Sequence, residues 1–151
     1  MDLEQSWRRA ADLLIASHDV WESAGLTAAF PDGLERAASA LVATIGVEDV
    51  TWVETRADLD APKVEAAVFS QGLVAHLMLT AEGFGFDVHT LVVESLRATS
   101  IPHVHPGPDG PVPFRFTGRF RDLEVAFPWD SDNTKQDHAI AEQFARLRDK
   151  L

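Results

Sequence analysis

The segment KVEAAVFSQGLVAHLMLTAEGFGFDVHTLVV, which runs from Lys63 to Val93, carries the clearest folding signal in this chain. Gln71-Gly72 and the glycine-bearing EGFG at 82–85 divide it into three β-rich runs of strand length. Such runs, separated by short turns that contain glycine, are typical of antiparallel hairpins. The segment therefore predicts three consecutive strands, at 63–70, 73–80 and 86–93.

Four further runs of the same character flank this segment. They lie at 50–56, 95–101, 113–117 and 121–127, and Thr117-Gly118 predicts a hairpin turn after the sixth strand. Seven short strands in sequence, joined by tight turns, are typical of an antiparallel barrel or sandwich.

Helical patterns precede and follow the strands. Two helices are predicted before residue 46: one that ends near Gly25, and one in PDGLERAASALVATIG, where Asp32 and Glu35 suit a capping box and Gly46 a C-terminal stop. A last helix is predicted from about 134 to 150, with Asp132 or Asn133 as its N-cap. The expected fold class is α+β.

Composition limits the classes of partner and compartment. The 151 residues suit one domain, and 24 acidic against 13 basic side chains give a net charge of −11, which disfavours binding to nucleic acid or anionic membranes. The chain has no cysteine, and it shows neither a signal-peptide pattern nor an apolar run of membrane-spanning length. We therefore expect a cytoplasmic protein.

Two stretches carry a family resemblance. AAVFSQGLVAHLMLTAEGFGFDVHTLVVESLRATSI and RDLEVAFPWDSDNTKQDHAIAEQFARLRDKL resemble the central strands and the last strand with its helix in pleckstrin-homology-like domains, including bacterial and GRAM-type members. The resemblance covers about 50–151 and implies a seven-stranded antiparallel barrel capped by the C-terminal helix. The two predicted helices of 1–46, which the resemblance does not explain, form a helical extension within the single domain 1–151. It also implies a platform for peptides or protein partners.

Lipid binding does not follow from this resemblance. Family members that bind phosphoinositides place Lys and Arg in the loop between their first two strands, whereas the corresponding ADLDAPK has two aspartates and one lysine. Protein partners or self-association are therefore the expected interactions.

The segment IPHVHPGPDGPVPF offers a metal-binding alternative. His103 and His105 lie two residues apart, so in an extended strand both imidazoles would point to one side, with Asp109 as a further ligand. The pattern lacks the glutamate, the preceding glycine and the second histidine motif of cupins, and four prolines favour a stiffened surface loop. No metal or other cofactor is the preferred prediction.

A catalytic set is not apparent in the sequence. His76 lies among apolar residues, and His89 follows Asp87 by two positions, a spacing at which a carboxylate could orient an imidazole. No nucleophile motif accompanies them, and isolated histidines in strands more often serve structure. We therefore predict no catalytic residues.

Two groups of residues are candidates for contact with a partner. Trp7 and Trp21 share the stripe of the first helix. Packing of this stripe on the barrel or on the second helix is the first expectation, and self-association or contact with a partner is the alternative, because tryptophan is a frequent interface anchor. Arg115, Arg119 and Arg121 form a basic spot suited to acidic groups, unless nearby carboxylates pair with them. The leading hypothesis is a non-enzymatic protein-interaction or adaptor module of a bacterial cytoplasm; metal binding at the histidine pair and a small ligand in the barrel mouth are the alternatives.

Overall fold

The computed structural model describes residues 2–100 and 114–151; the side chains of residues 100 and 114 are not described. The chain divides into two compact units, Met1–Leu91 and Val92–Leu151.

The first unit begins with three α-helices. They are α1 (Leu3–Ser17), α2 (Ala24–Ala29) and α3 (Gly33–Thr44), with short 3-10 segments at Asp19–Glu22 and Val47–Asp49. Asp2 and Gln5 form a capping box at the start of α1, because each side chain accepts a hydrogen bond from the other's backbone N–H.

The first helix is shorter than the sequence predicts. It ends at Ser17 and not near Gly25, because His18 is extended and its Nδ1 accepts a hydrogen bond from Val20 N. Ser23 then caps a separate helix, α2, by accepting from Leu26 N. Local side-chain acceptors thus divide one apolar stripe into three short elements.

The structure confirms the predicted C-terminal stop of α3 but not its predicted N-terminal capping box. Asp32 makes no side-chain capping bond, so the predicted capping box with Glu35 is wrong; Asp32 instead accepts from Arg36 N through its backbone carbonyl. Gly46 follows the C-cap with a φ of 74°, the left-handed conformation in which glycine commonly ends a helix.

Four strands complete the first unit. These are β1 (Val50–Asp58), β2 (Lys63–Ser70), β3 (Leu73–Thr80) and β4 (Gly83–Thr90), antiparallel in the order β1-β2-β3-β4. The predicted Gln71-Gly72 turn is confirmed. The fourth strand begins at Gly83 and not at 86, and ends at Thr90 and not at 93, since Gly83 already pairs with Thr80 across the turn.

One face of this sheet packs against the helices. Leu14 of α1 and Leu41 of α3 lie in a single buried cluster with Val64 and Leu77 of the sheet. Residues that alternate with these along the strands lie on the opposite face, where Trp52 and Phe69 are also buried.

The second unit contains three strands and a helix. They are β5 (Ser95–Ser100), β6 (Phe114–Phe120), β7 (Leu123–Phe127) and α4 (Ile140–Arg148), with a 3-10 segment at Asp137–Ala139. The sheet is antiparallel in the order β5-β6-β7. Phe116 stacks on Phe127 with ring centroids 4.3 Å apart and meets Phe144 of α4 edge-on at 5.1 Å.

The predicted turn at Thr117-Gly118 is wrong. β6 continues through Gly118, which pairs with Val125, and the chain turns at Arg121-Asp122. A Cβ at position 118 would lie 2.5 Å from Phe120 Cζ, so this glycine provides space for a ring. The predicted start of the last helix is also too early, because a 3-10 turn precedes α4 and its N-cap is Ala139.

The predicted fold class is therefore confirmed as α+β, with antiparallel sheets of four and three strands in the described part of the chain. None of the helices within 2–100 and 114–151 is long and apolar enough to cross a membrane.

Candidate functional site

A row of charged and imidazole side chains crosses the four-stranded sheet on the face opposite the helices. Strand alternation fixes this face, because the intervening residues Val64, Leu77 and Phe86 pack towards the helices. We call this set the polar row: Arg56 on β1, Lys63 and Glu65 on β2, His76 on β3, and Asp87 and His89 on β4.

Glu65 is the centre of the polar row. Its Oε1 accepts hydrogen bonds from Arg56 Nη2 at 3.0 Å and Nε at 3.3 Å, and lies 2.8 Å from Lys63 Nζ. Its Oε2 lies 3.0 Å from His76 Nε2. Only 3% of Glu65 is exposed, so these partners replace most of the water that would solvate an isolated carboxylate.

These contacts determine the protonation of Glu65. Burial acts to raise the pKa of its carboxyl, but the hydrogen bonds from His76, Lys63 and Arg56 and the charge of Arg56 outweigh burial and lower the pKa to about 2. Glu65 is thus ionised across the neutral range. A general base is most effective with a pKa near the working pH, so the geometry suits Glu65 to positioning His76 and joining three strands.

The edge of β4 that faces away from β3 lies next to the polar row. We call it the open edge of β4, because none of the strands within 2–100 and 114–151 pairs with it. Leu91 N donates to Gly72 O at 2.9 Å, which makes 72 and 91 a hydrogen-bonded pair in the register of β3 and β4. Because such pairs alternate along an antiparallel ladder, the backbone groups of four residues point away from β3: Phe84, Phe86, Val88 and Thr90.

The C-terminal half of β4 is accessible. Asp87, Val88, His89 and Thr90 are all exposed, and 37% of Val88 is accessible. Within the described strand pairings, β4 has β3 as its sole neighbour. Unpaired N–H and C=O groups on an edge strand form a template for another extended chain.

A separate cavity of about 250 Å³ lies between the start of α3 and the β3–β4 turn. Its walls are largely apolar, with Phe30, Leu79 and Phe84, whereas Asp32 and Arg36 stand on its exposed rim. This arrangement offers an apolar recess with the Arg36 guanidinium and the Asp32 carboxylate at its opening.

The two tryptophans predicted as contact residues occupy different environments. Trp7 is half-buried against the helix–sheet core. Trp21 is 2% exposed and its indole Nε1 donates to Thr55 Oγ1 at 3.0 Å, so its ring contributes to the core of the first unit.

The three arginines of the β6–β7 hairpin do not act as one exposed group. Arg115 is half-buried and donates to the Pro128 carbonyl at 3.2 Å, and Arg119 lies 3.6 Å from a carboxylate oxygen of Glu94. Arg121 is exposed in the turn, with a φ of 58°.

The metal-binding alternative falls on His103, His105 and Asp109, which lie outside the described residues. Across 2–100 and 114–151, no three or more side chains of His, Asp or Glu are grouped as metal ligands would be.

Reasoning from sequence missed the role of Glu65. A signal was present, since the Gln71-Gly72 turn places 70 opposite 73 and therefore Ala67 opposite His76. Glu65 then lies diagonal to His76, within reach of a long side chain. On the other side, Glu65 lies directly opposite Arg56 of β1. This pairing is set by the loop of 59–62, and the sequence of that loop did not reveal the register between β1 and β2.

Comparisons with known proteins provide no further assignment. No family model matches the chain, and neither a curated protein nor a solved structure is significantly similar to it.

Proposed function

We propose that this chain is a non-enzymatic protein-interaction module of a bacterial cytoplasm, and that it binds an extended polypeptide segment along β4. The observation that carries the proposal is the open edge of β4, where the backbone groups of Phe84, Phe86, Val88 and Thr90 point away from the sheet. A strand added there would form a regular ladder of backbone hydrogen bonds.

Side chains on both faces of β4 would give such a site selectivity. Phe86 and Val88 lie on the helix side of the edge, whereas Asp87 and His89 lie on the side of the polar row. A bound segment would therefore meet apolar groups at alternate positions and one acid and one imidazole between them.

The fold and charge support a protein partner. Two antiparallel sheets of consecutive strands, followed by α4, are compatible with the proposed pleckstrin-homology-like fold, and β4 and β5 belong to different sheets. The resemblance to this fold implies a platform for peptides and proteins. A net charge of −11 disfavours nucleic acid and anionic membranes. Metal binding at His103 and His105 stays a prediction that elemental analysis of the purified chain can test.

Substitution of Val88 tests the edge directly. Proline at an outward-facing position removes the donor on the open side and leaves the bonds to β3 in place. We expect Val88→Pro to abolish binding of extended peptides selected on the wild-type chain, and Val88→Thr, which keeps the N–H group, to retain it.

Amide exchange in the bound state provides the second measurement. Binding should slow exchange at Phe84, Phe86, Val88 and Thr90, whereas Gly85, Asp87 and His89 are already protected by β3. Selected peptides that bind Val88→Pro as tightly as wild type, or that protect amides elsewhere and not on β4, would exclude this site.

A second candidate function is small-molecule binding in the cavity beside α3. The apolar walls with Arg36 on the rim favour an aromatic carboxylate, since a guanidinium binds a carboxylate through paired hydrogen bonds. Titration with benzoate should shift the amide resonances of Gly33, Thr80 and Gly83, and benzamide should not.

The variant pair Arg36→Ala and Arg9→Ala separates the cavity from general charge effects. Arg9 is an exposed arginine on α1, outside the cavity lining. Only Arg36→Ala should weaken the benzoate response; equal responses in both variants and wild type would show that the cavity does not select the carboxylate.

A further inference from the structure

The geometry of β4 points to a second copy of this chain as the occupant of its open edge. We infer that two β4 strands pair antiparallel about a twofold axis that passes between the two Val88 residues. This inference rests on the proposed function and specifies its partner.

The side chains on β4 select this register over its neighbours. In an antiparallel pair centred on residue 88, Asp87 of each chain lies opposite His89 of the other, so an imidazole N–H can donate to a carboxylate. Centring on 87 would place two aspartates opposite each other, and like charges directly opposite destabilise a sheet. Centring on 86 or 89 would place Asp87 opposite Gly85 or Leu91, neither of which has a side-chain donor.

The backbone parity of β4 strengthens the choice. Val88 points its N–H and C=O groups outward, so the two copies of Val88 would form a hydrogen-bonded pair. Asp87 and His89 then fall in non-hydrogen-bonded pairs, where opposing side chains are closest. The register that places Asp87 opposite His89 therefore also puts these two side chains at the shorter separation.

Pairing about Val88 would satisfy the outward groups of three residues in each chain. Phe86 lies opposite Thr90 of the second copy, and each such pair exchanges two bonds, so the interface gains about six backbone hydrogen bonds. The pair also covers Val88, the most exposed apolar residue of β4. Because the same strand is used by both copies, the assembly closes as a dimer.

The polar row would then continue from one chain into the next. Within one chain Arg56 lies opposite Glu65, and His76 lies opposite Asp87. His89 of the second copy would extend this alternation past Asp87 across the interface. The placement of Asp87 and His89 at the end of the row, on the exposed half of the edge strand, is thus accounted for by a second copy.

Cysteine cross-linking can determine the register, because the chain has no cysteine of its own. In the proposed pair the two Cα atoms of residue 88 are about 5.5 Å apart and those of 87 and 89 are about 4.5 Å apart, both within disulfide range. Val88→Cys should form a disulfide-linked dimer by itself. Asp87→Cys and His89→Cys should each stay uncrosslinked alone and form a mixed dimer when combined.

Charge exchange tests the same contacts without a covalent bond. Asp87→Lys alone removes the carboxylate that accepts from His89 of the other copy, and His89→Glu alone opposes aspartate to glutamate, so each should weaken dimerisation about tenfold or more. A mixture of the two variants forms one Lys–Glu and one Asp–His pair and should recover the dimer. Sedimentation equilibrium measures these masses against the 16.6 kDa chain, and circular dichroism confirms that each exposed substitution leaves the fold intact.

The outcomes separate this inference from the proposed function. A wild-type chain that stays monomeric at several hundred micromolar, or a dimer unaffected by Val88→Pro, would overturn self-pairing through β4. If the chain is monomeric but selected peptides still bind in a manner abolished by Val88→Pro, the interaction module stands and the second copy is excluded. Failure of both measurements would reject both.

Discussion

Trp21 Nε1 donates a 3.0 Å hydrogen bond to Thr55 Oγ1, and this bond connects the segment after α1 to β1 inside the core. Ser17 Oγ lies 2.8 Å from the same hydroxyl and donates to the Leu14 carbonyl at 2.6 Å. Since the Ser17 proton is used on Leu14, the Thr55 hydroxyl must donate to Ser17. The result is a buried series of hydrogen bonds that runs from the Trp21 indole through the hydroxyls of Thr55 and Ser17 to the Leu14 carbonyl.

Thr55→Val should therefore lower the free energy of unfolding by about 1 to 3 kcal/mol, because it removes the acceptor of the buried Trp21 N–H and the hydrogen bond to Ser17 while keeping the side-chain shape. Thr55→Ser keeps the hydroxyl and should cost less. Urea denaturation of the three proteins measures the difference, and equal stability of wild type and Thr55→Val would show that the network contributes nothing.

Stability should decrease in acid because of Glu65. Its pKa is about 2 in the folded chain against an ordinary value of 4.5, so its contribution is complete above about pH 4.5 and is lost as pH falls towards 2. The contribution is on the order of 3 kcal/mol at neutral pH.

The matched comparison for this prediction is Glu65→Gln against Glu82→Gln. Glu65→Gln should have a lower free energy of unfolding than wild type at pH 6, and this difference should nearly vanish near pH 2. Glu82 is exposed in the β3–β4 turn, so Glu82→Gln should match wild type at both pH values. A gap for Glu65→Gln that stays constant from pH 6 to pH 2 would mean that the lost stability does not come from ionisation.

Arg121→Gly should stabilise the second unit. Arg121 has a φ of 58° in the turn between β6 and β7, a conformation that costs a non-glycine residue about 1 to 2 kcal/mol. Glycine removes this cost but gains freedom in the unfolded chain, so the net gain should be about 0.5 to 1 kcal/mol. Asp122→Gly is the control: Asp122 does not have a positive φ, so glycine there should destabilise, and thermal denaturation distinguishes the two directions.

Gly118→Ala should destabilise the same unit by about 1 to 3 kcal/mol, because the new Cβ would lie 2.5 Å from Cζ and 2.7 Å from Cε2 of the buried Phe120 ring. Gly72→Ala provides the comparison, since nothing lies within 4 Å of a Cβ at that position. Equal melting temperatures for the two variants would show that the Phe120 ring adapts without cost.

Turn chemistry explains which elements could be predicted from the sequence. Gln71-Gly72 was read correctly because two long apolar runs end on either side of it, and the β2–β3 register followed from that turn alone. The turn predicted at Thr117-Gly118 is wrong because glycine also occurs where groups pack closely. The need for space at 118 depends on where the Phe120 ring lies. The end of α1 at Ser17 depends on hydrogen bonds made by single side chains, which a hydrophobic stripe does not reveal.

The fold class, the hairpin around Gln71-Gly72, the acidic charge and the strand alternation that places Glu65 and His76 on one face can all be predicted from the sequence. They depend only on composition and on neighbours along the chain. The three-dimensional structure was needed to show that Arg56 and Lys63 contact Glu65, that Trp21 is buried against Thr55, and that Asp87 and His89 lie on the open edge of β4. These relations depend on strand order and on packing between distant segments. Local periodicity carries no information about either.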